Sequence, residues 1–487
     1  MNIVIVGGGT AGWISAYFIC KDHPGQHNIT VIESSKIGII GAGEGSTGTM
    51  LELINGTLVP YTVDINEFLR ETDGTLKFGI YHQNWSGDNE GYFAPLDSTP
   101  TWANFDDYIF KHTLASYGKN QMHLASTLGI EFEAQNWSNP SAFHFDGHKV
   151  GKFFRKICEA DGVTVIDAVV DKVIVNNDNE IEQLILDNNQ TLNGDLFIDC
   201  TGFARALIKE VGVDWISYKD HLPVDTAMPF IVNYEEGETV KPMTTATALN
   251  AGWMWNIPLA TRKGCGYVFD SNYISREDAQ LEVEEYLGKK ITPIKFINLN
   301  SGKNSKFWSG NVISLGLASS FVEPLEATSI HSTIIQMLIF SKEYLYKDKV
   351  TTLNENNRNI YNEKIDILYQ NIIDFISFHY QGGRRDTPFW RSIQEENKCT
   401  PRAKQYLKKC KNKIPGFIEI HAVIGAPAAS LWNWIAGGLG IITPEQALAE
   451  LDQKGLVQKS EKEHNEMLAP YVKSKPNTEV KSYIKYL

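Results

Sequence analysis

The chain predicts an α/β fold that opens on a parallel sheet with a nucleotide-binding turn. Two observations carry that reading: a glycine loop directly behind an apolar strand, and an acid closing the next strand. Ile3-Val4-Ile5-Val6 is a continuous apolar run of the kind that makes a buried parallel strand. Gly7, Gly9 and Gly12 follow at G-x-G-x-x-G spacing and lead into a helical pattern through Trp13, Ile14, Ala16, Tyr17 and Ile19. Gly7 permits a tight turn, Gly9 lets the backbone approach a pyrophosphate, and Gly12 allows close helix packing. The phosphate charge would rest on the helix N-terminus, where unpaired N–H groups and the dipole favour anions. A second strand, Asn28 to Ile32, ends at Glu33, 21 residues beyond Gly12, the place for a carboxylate that accepts from ribose hydroxyls. Strand, loop, helix, strand and acid in this order define a Rossmann-type unit.

Composition narrows the class. With 487 residues the chain exceeds what one simple core usually covers, so a second lobe is expected. A net charge of -13 argues against nucleic acid and anionic membrane as partners, since both demand basic patches. Six cysteines are scattered without a C-x-x-C pair, which argues against a zinc or disulfide framework and fits a reducing cytoplasm. The N-terminus carries the glycine loop and no basic leader, and no stretch approaches ~20 uninterrupted apolar residues.

Further along, Gly38, Gly41, Gly43 and Gly45 crowd one short segment, which implies backbone approaching a ligand or a plain connecting loop. Residues 86–140 read as irregular structure with aromatic anchors. The run His144-Phe145-Asp146-Gly147-His148 is expected to open a helix continuing through Phe153, Phe154 and Ile157. An alternating segment from Thr164 to Val175, a strand from Ile181 to Leu186, and an apolar strand from Leu196 to Asp199 follow. An amphipathic helix over 355–380 places Ile365, Leu368, Ile372, Phe375 and Ile376 on one face. The expected division is a discontinuous nucleotide module, 1–98 with 140–340, and a mainly helical substrate lobe, 99–139 with 341–487.

Three segments carry chemistry. Lys77 stands inside the strand-like run 75–80, where a buried lysine is unexpected unless paired or functional, and where the ordinary alternative is an outward-facing lysine on an edge strand. Glu323-Pro324-Leu325-Glu326-Ala327-Thr328-Ser329 precedes a helix expected near Ile330. Its small residues either offer backbone N–H groups to a small anion or serve as a plain cap through Thr328 or Ser329. Trp253-Met254-Trp255-Asn256-Ile257-Pro258 sets two tryptophans on one face of a strand. His144 and His148 stand four apart, but no third ligand of matching spacing accompanies them, so no metal is expected.

Together these segments resemble the flavin-dependent halogenases of the tryptophan-halogenase type. Gly41 to Glu44, Lys77 ahead of Asn84-Trp85, His144-Phe145-Asp146, Phe197 to Gly202, Gly266 to Phe269 and Arg385 to Trp390 add to the match, which spans nearly the whole chain. The resemblance implies an FAD-binding fold of the aromatic-hydroxylase kind. Gly7, Gly9, Thr10, Ala11, Gly12, Trp13, Glu33, Gly43, Glu44, Val170, Gly316 and Leu317 would then bind the cofactor. It also implies that Trp253, Trp255 and Pro258 screen the flavin pocket, and that Thr328 and Ser329 bind halide. Lys77 and Glu326 take the places of the family's catalytic pair.

On this resemblance, FADH2 from a separate NAD(P)H-dependent reductase, with O2 and halide, yields hypohalous acid that travels internally to Lys77. The lysine forms a haloamine or hydrogen-bonds the acid, and Glu326 polarises the halogenating species or takes the proton the arene loses. The layout keeps the oxidant off the surface and stops the flavin from oxygenating the substrate. Tryptophan-specific members hold the amino acid's charged ends with paired tyrosines and a glutamate. Residues 419–434 carry small and apolar side chains instead, with Trp432 and Trp434 able to stack on an arene or to fill the core. The expected substrate is therefore an electron-rich indole or phenol, with bromide or iodide used better than chloride. The alternatives are an FAD-dependent aromatic monooxygenase, against which Lys77, Trp253 and Trp255 argue, and a non-catalytic flavoprotein, against which Lys77 and Glu326 argue.

Overall fold

The first strand and the glycine loop sit at the centre of a six-stranded sheet. In the computed structural model, described over residues 1–38, 43–96, 108–119, 142–395, 398–416, 425, 427 and 429–472, the strand order is Trp308–Ser309, Val312–Ser314, Leu196–Asp199, Asn2–Val6, Asn28–Glu33, Thr164–Asp167. All pairs are parallel except the edge pair Trp308–Ser309 with Val312–Ser314. The central strands are apolar on both faces because helices cover one face and the three-stranded sheet carrying Val173, Leu184 and Leu186 packs on Val4, Val6 and Phe197 of the other. Helix Thr10–Asp22 packs against helices Gly147–Ala160 and Thr328–Glu343.

A second, seven-stranded sheet holds the tryptophan strand. Its order is Ile297–Asn298, Thr226–Val232, Lys263–Phe269, Gly252–Pro258, Met243–Leu249, Gly79–Gln83, Gly91–Pro95. The pair Met243–Leu249 with Gly79–Gln83 is parallel and the others are antiparallel. Trp255 lies opposite Gly266, and a Cβ at 266 would overlap the Trp255 ring, so the bulky strand depends on its bare neighbour. Pro388-containing helix Pro388–Ser392 and the long helix Glu355–His379 complete this side. Ile365, Leu368, Ile372, Phe375 and Ile376 are all buried, as the 3.6-residue period requires. One hydrophobic cluster runs from Ile3 to Ala447 and so spans residues of both expected lobes. Among the described residues no helix is long and apolar enough to cross a membrane.

Two expected elements differ. His144 does not open a helix: Ala142–Phe145 is a buried strand pairing with Glu44–Gly45 on one side and Thr75–Lys77 on the other. The helix starts at Gly147, because Asp146 caps it by accepting from the backbone N–H groups of His148 and Lys149 at 3.0 and 3.2 Å. The alternating segment 164–175 is also two elements. Thr164–Asp167 joins the parallel sheet, while Val170–Val175 pairs with Ile181–Leu186 in a separate three-stranded sheet.

The glycine loop makes a prediction about the origin of its own sequence. A Cβ on Gly12 would overlap the Gly7 carbonyl oxygen, whereas a Cβ on Gly9 would meet nothing within 4 Å. Gly12→Val should therefore unfold the protein. Gly9→Val should keep the wild-type circular dichroism and melting midpoint but lose FAD affinity in a fluorescence titration. Unchanged FAD affinity in Gly9→Val would show that the open space beside the loop is not the pyrophosphate site.

Candidate active site

The first half of the site is assembled from two bare helix N-termini. Gly9 caps helix Thr10–Asp22 and Ala327 caps Thr328–Glu343, and neither helix start receives a side-chain hydrogen bond. The capping alternative for Thr328 and Ser329 is thus absent: Ala327 holds a left-handed conformation, φ 54°, and the first turn keeps its N–H groups for another acceptor. Gly316, φ 58°, brings the two starts together, since a Cβ there would stand 2.8 Å from Ala11 and 3.7 Å from the Thr333 hydroxyl. Leu317 follows in the same short turn, Gly316–Ala318.

Glu33 accepts from Trp13 Nε1 at 3.1 Å and pairs with Arg155, which orients it at the sheet edge. Val170 begins its strand just past Ala168, whose N–H donates to the Glu33 carbonyl at 2.9 Å. Thr10 donates to the Gly147 carbonyl at 3.1 Å, beside partly exposed Glu44. The dense surroundings of Glu44, and secondarily the Asp146 charge, push its carboxyl up to about 7. Gly43, φ 134°, sits against Gly264 and Leu259, while Ile39 to Ala42 of the same segment lie outside the described residues. The open space at Gly9, the uncapped helix and the acid at the strand end fit a dinucleotide.

The second half of the site is an interior cluster around Lys77. The lysine is 1% exposed, so although Thr75–Lys77 is an end strand of its three-stranded sheet the outward-facing alternative is excluded. Its Nζ donates to the Ser46 carbonyl at 3.1 Å, and a Cβ on Gly45 would come within 3.1 Å of that Nζ. Burial pushes the amine down to about 8, and the charge of Glu326 opposes the shift. Upstream, Thr75 donates to the Pro258 carbonyl at 2.6 Å. Its hydroxyl proton is thereby committed, so His144 Nδ1, 3.0 Å away, must be the donor, and His144 Nε2 accepts from Thr244 at 2.9 Å. His144 is a satisfied clamp on the lysine strand. His148 is the second residue of the following helix, so the two histidines share no helix face.

Glu326 ends the turn Pro324–Glu326 and is 8% exposed. Its Oε1 lies 2.8 Å from His379 Nε2 and 3.8 Å from His82 Nε2. Both histidines are buried, and sequence reasoning missed them. His82 lies on the same strand face as Ile80, two residues away, and His379 is the last residue of the long helix. Burial, then His379, holds the His82 imidazole well below its usual range; the Ile80 backbone opposes this and Lys77 adds to it.

The tryptophan strand reaches this cluster through Trp85, whose ring contacts Trp253 as well as His82 and His379. Trp253, 1% exposed, packs on Trp255 at 6.3 Å between ring centroids and on Trp85 at 6.4 Å. Its Nε1 bonds the Tyr380 hydroxyl at 3.1 Å and Glu323 Oε2 at 3.4 Å, and Tyr380 donates to the same Glu323 oxygen. Burial raises Glu323 to about 7, against the two hydrogen bonds. Trp432 and Trp434 are core: the first packs on Phe375, Phe378 and Tyr406, the second on Phe110. Residues 419–424, 426 and 428 of the expected substrate segment lie outside the described residues. A surface cavity of about 370 Å³ beside Cys20, Tyr61 and Asp161 contains none of the expected site residues.

The glycine loop with its uncapped helix, the buried Lys77 and Glu326 and the tryptophan strand fit one class: an enzyme of the flavin-dependent halogenase type. The chain belongs to the tryptophan halogenase family, whose sequence pattern it matches over residues 2–451. It is 31% identical to the 7-chloro-L-tryptophan 6-halogenase KtzR of Kutzneria sp. (strain 744), over 94% of both chains. The fold is similar to that of a tryptophan halogenase from Shewanella frigidimarina, with a TM-score of 0.86, 27% identity and coverage of 99% and 97% of the two chains. It is also similar to Xcc4156, a flavin-dependent halogenase from Xanthomonas campestris, with a TM-score of 0.82, 28% identity and coverage of 96% and 98%. Members of the family use FAD in its reduced form together with halide, and generally need a separate flavin reductase.

Proposed function

We propose that this chain halogenates an electron-rich aromatic compound, of the indole or phenol type, at Lys77. Bound reduced FAD with O2 supplies the two-electron oxidation that converts halide to hypohalous acid. The chain's own residues do the rest. The bare N–H groups at Thr328 and Ser329 hold halide, Trp253, Trp255 and Pro258 keep the arene from the flavin, and Lys77 receives the hypohalous acid. In the net reaction ArH and HOX give ArX and water, with the ring proton leaving toward Glu326. The observation that carries this reading is the buried Lys77 amine, held near pH 8 with the Glu326 charge close enough to act on it. In water a lysine is a protonated, strongly hydrated cation; only a desolvated one is partly neutral and nucleophilic near neutral pH.

The helical residues 341–487 with 99–139 are read as the substrate lobe. Small and apolar side chains over 419–434 support a pocket without a clamp for an amino acid's charged ends. A pocket walled by apolar groups separates close analogues by only ~1–3 kcal/mol, whereas one built on buried polar partners rejects them far more strongly. Free tryptophan should lose to indole when both compete at equal concentration with bromide. Bromide and iodide, the more easily oxidised halides, should give more product than chloride. Mass spectrometry of the products checks both expectations. Exclusive halogenation of tryptophan at one ring carbon would refute the open pocket.

A further inference from the structure

We propose that His82, Glu326 and His379 form a divalent-cation site for a borderline metal such as Zn²⁺ or Co²⁺, and that its occupancy withdraws Glu326 from halogenation. One donor atom from each of the three residues lies within 4.8 Å of the others, and all three residues are buried. No other group of three such residues that could hold a metal occurs among the described residues.

The argument turns on where protons and lone pairs must lie. His379 Nδ1 is 2.8 Å from the Phe375 carbonyl oxygen. A carbonyl only accepts, so Nδ1 carries the hydrogen and Nε2 presents its lone pair toward Glu326 Oε1 at 2.8 Å. Two lone-pair atoms at that separation must share a proton, and a metal ion can take that proton's place, because metal binding to such ligands releases protons. The Phe375 carbonyl is the outer partner that a metal-bound histidine ordinarily has, fixing both tautomer and ring orientation.

The third ligand is independent of this pair. Neither ring nitrogen of His82 makes a hydrogen bond of good geometry, although the side chain is fully buried; its polar neighbours are the Ile80 backbone and Glu326. Its ring is held by stacking on Tyr92, 4.7 Å and 10° between planes, and by the edge of Trp85 at 5.6 Å. An immobilised imidazole with an unused lone pair 3.8 Å from a carboxylate oxygen calls for a ligand. Two imidazole nitrogens and one carboxylate oxygen make a donor set that catalytic zinc sites use with a fourth position open. Tetrahedral ligands at ~2.1 Å from one ion stand about 3.4 Å apart, so the 2.8 Å separation must open and the 3.8 Å separation close by a few tenths of an ångström. A mixed nitrogen and oxygen set with no further carboxylates disfavours Mg²⁺ and Ca²⁺.

The inhibitory half of the proposal rests on Glu326 acting in halogenation; the binding half does not. The test titrates untagged, full-length protein with Co²⁺. One equivalent should develop a d–d absorption band without a thiolate charge-transfer band, since all six cysteines lie elsewhere. His82→Phe, which keeps a ring on Tyr92, should abolish the band, and so should His379→Gln, read by this band alone. With chemically reduced FAD, Zn²⁺ should cut wild-type halogenation at least ten-fold while flavin reoxidation continues, and His82→Phe should resist. Absence of a Co²⁺ band in the wild type, or its persistence at unchanged affinity in both variants, overturns the site. A His82-dependent band with halogenation unaffected by Zn²⁺ keeps the site and overturns the inhibition, and with it the role of Glu326.

Discussion

Lys77→Met is expected to remove halogenation of every aromatic substrate while FADH2 is still reoxidised by O2 at the wild-type rate. On the proposed route the lysine acts after the oxidant has formed, so only the transfer to the arene should be lost. The hypohalous acid then escapes, and a soluble scavenger such as monochlorodimedone should be halogenated in place of the substrate. Product analysis with and without the scavenger reads this directly; native yield and regiochemistry in Lys77→Met would refute the lysine site. The pH dependence follows from the same amine. Burial lowers its pKa from 10.5 to about 8, so the neutral, nucleophilic form grows as pH rises through about 8, and a haloamine route should accelerate over that range.

The same substitution should stabilise the fold. A lysine whose folded pKa is depressed costs stability wherever the unfolded chain binds the proton more tightly. The displacement from 10.5 to about 8 is worth roughly 3 kcal/mol, as an upper figure because Met also loses the bond to the Ser46 carbonyl. The cost is complete below pH 8, declines between 8 and 10.5, and is gone above. Urea denaturation of wild type and Lys77→Met at pH 7 and near pH 10 should show the gap closing. An equal gap at both would assign the effect to packing instead of charge.

Glu326→Gln is expected to lower halogenation by ~10²–10⁴, the usual worth of a residue that moves or holds a proton in the rate-limiting step. The amide keeps the shape and still meets His379 Nε2, 2.8 Å from the carboxylate oxygen in the wild type, but cannot take the proton the ring must lose. A deuterated ring carbon should then slow the variant's turnover more than the wild type's. Wild-type turnover in Glu326→Gln would leave proton loss to water. Since Lys77→Met and Glu326→Gln interrupt one sequence of steps, the double variant should be no worse than Lys77→Met alone.

Much of this was legible locally. The Rossmann-type start could be read because each of its signals is short-range: apolar run, glycine spacing, helix period, terminal acid. Lys77 stood out because a charge inside an apolar strand violates burial statistics, and the tryptophan strand because two bulky rings share one face. The helix at His144 was misread for the same local reason. His144-Phe145-Asp146-Gly147-His148 runs directly into a periodic helical segment, whereas pairing with Thr75–Lys77 and Glu44–Gly45, about 70 and 100 residues away in the chain, makes its first residues a strand.

The sequence by itself determined the elements whose information lies within one strand or one turn, and through them the class of protein. The tertiary structure alone decided how the groups act on each other. His82 and His379 are 297 residues apart and look unremarkable in their own segments, yet both converge on Glu326. Gly316 and Ala11 bring two uncapped helix starts together only once the sheets are stacked. Electrostatic effects of this kind depend on separation and on excluded water, and both come into being only when distant parts of the chain close over the same interior.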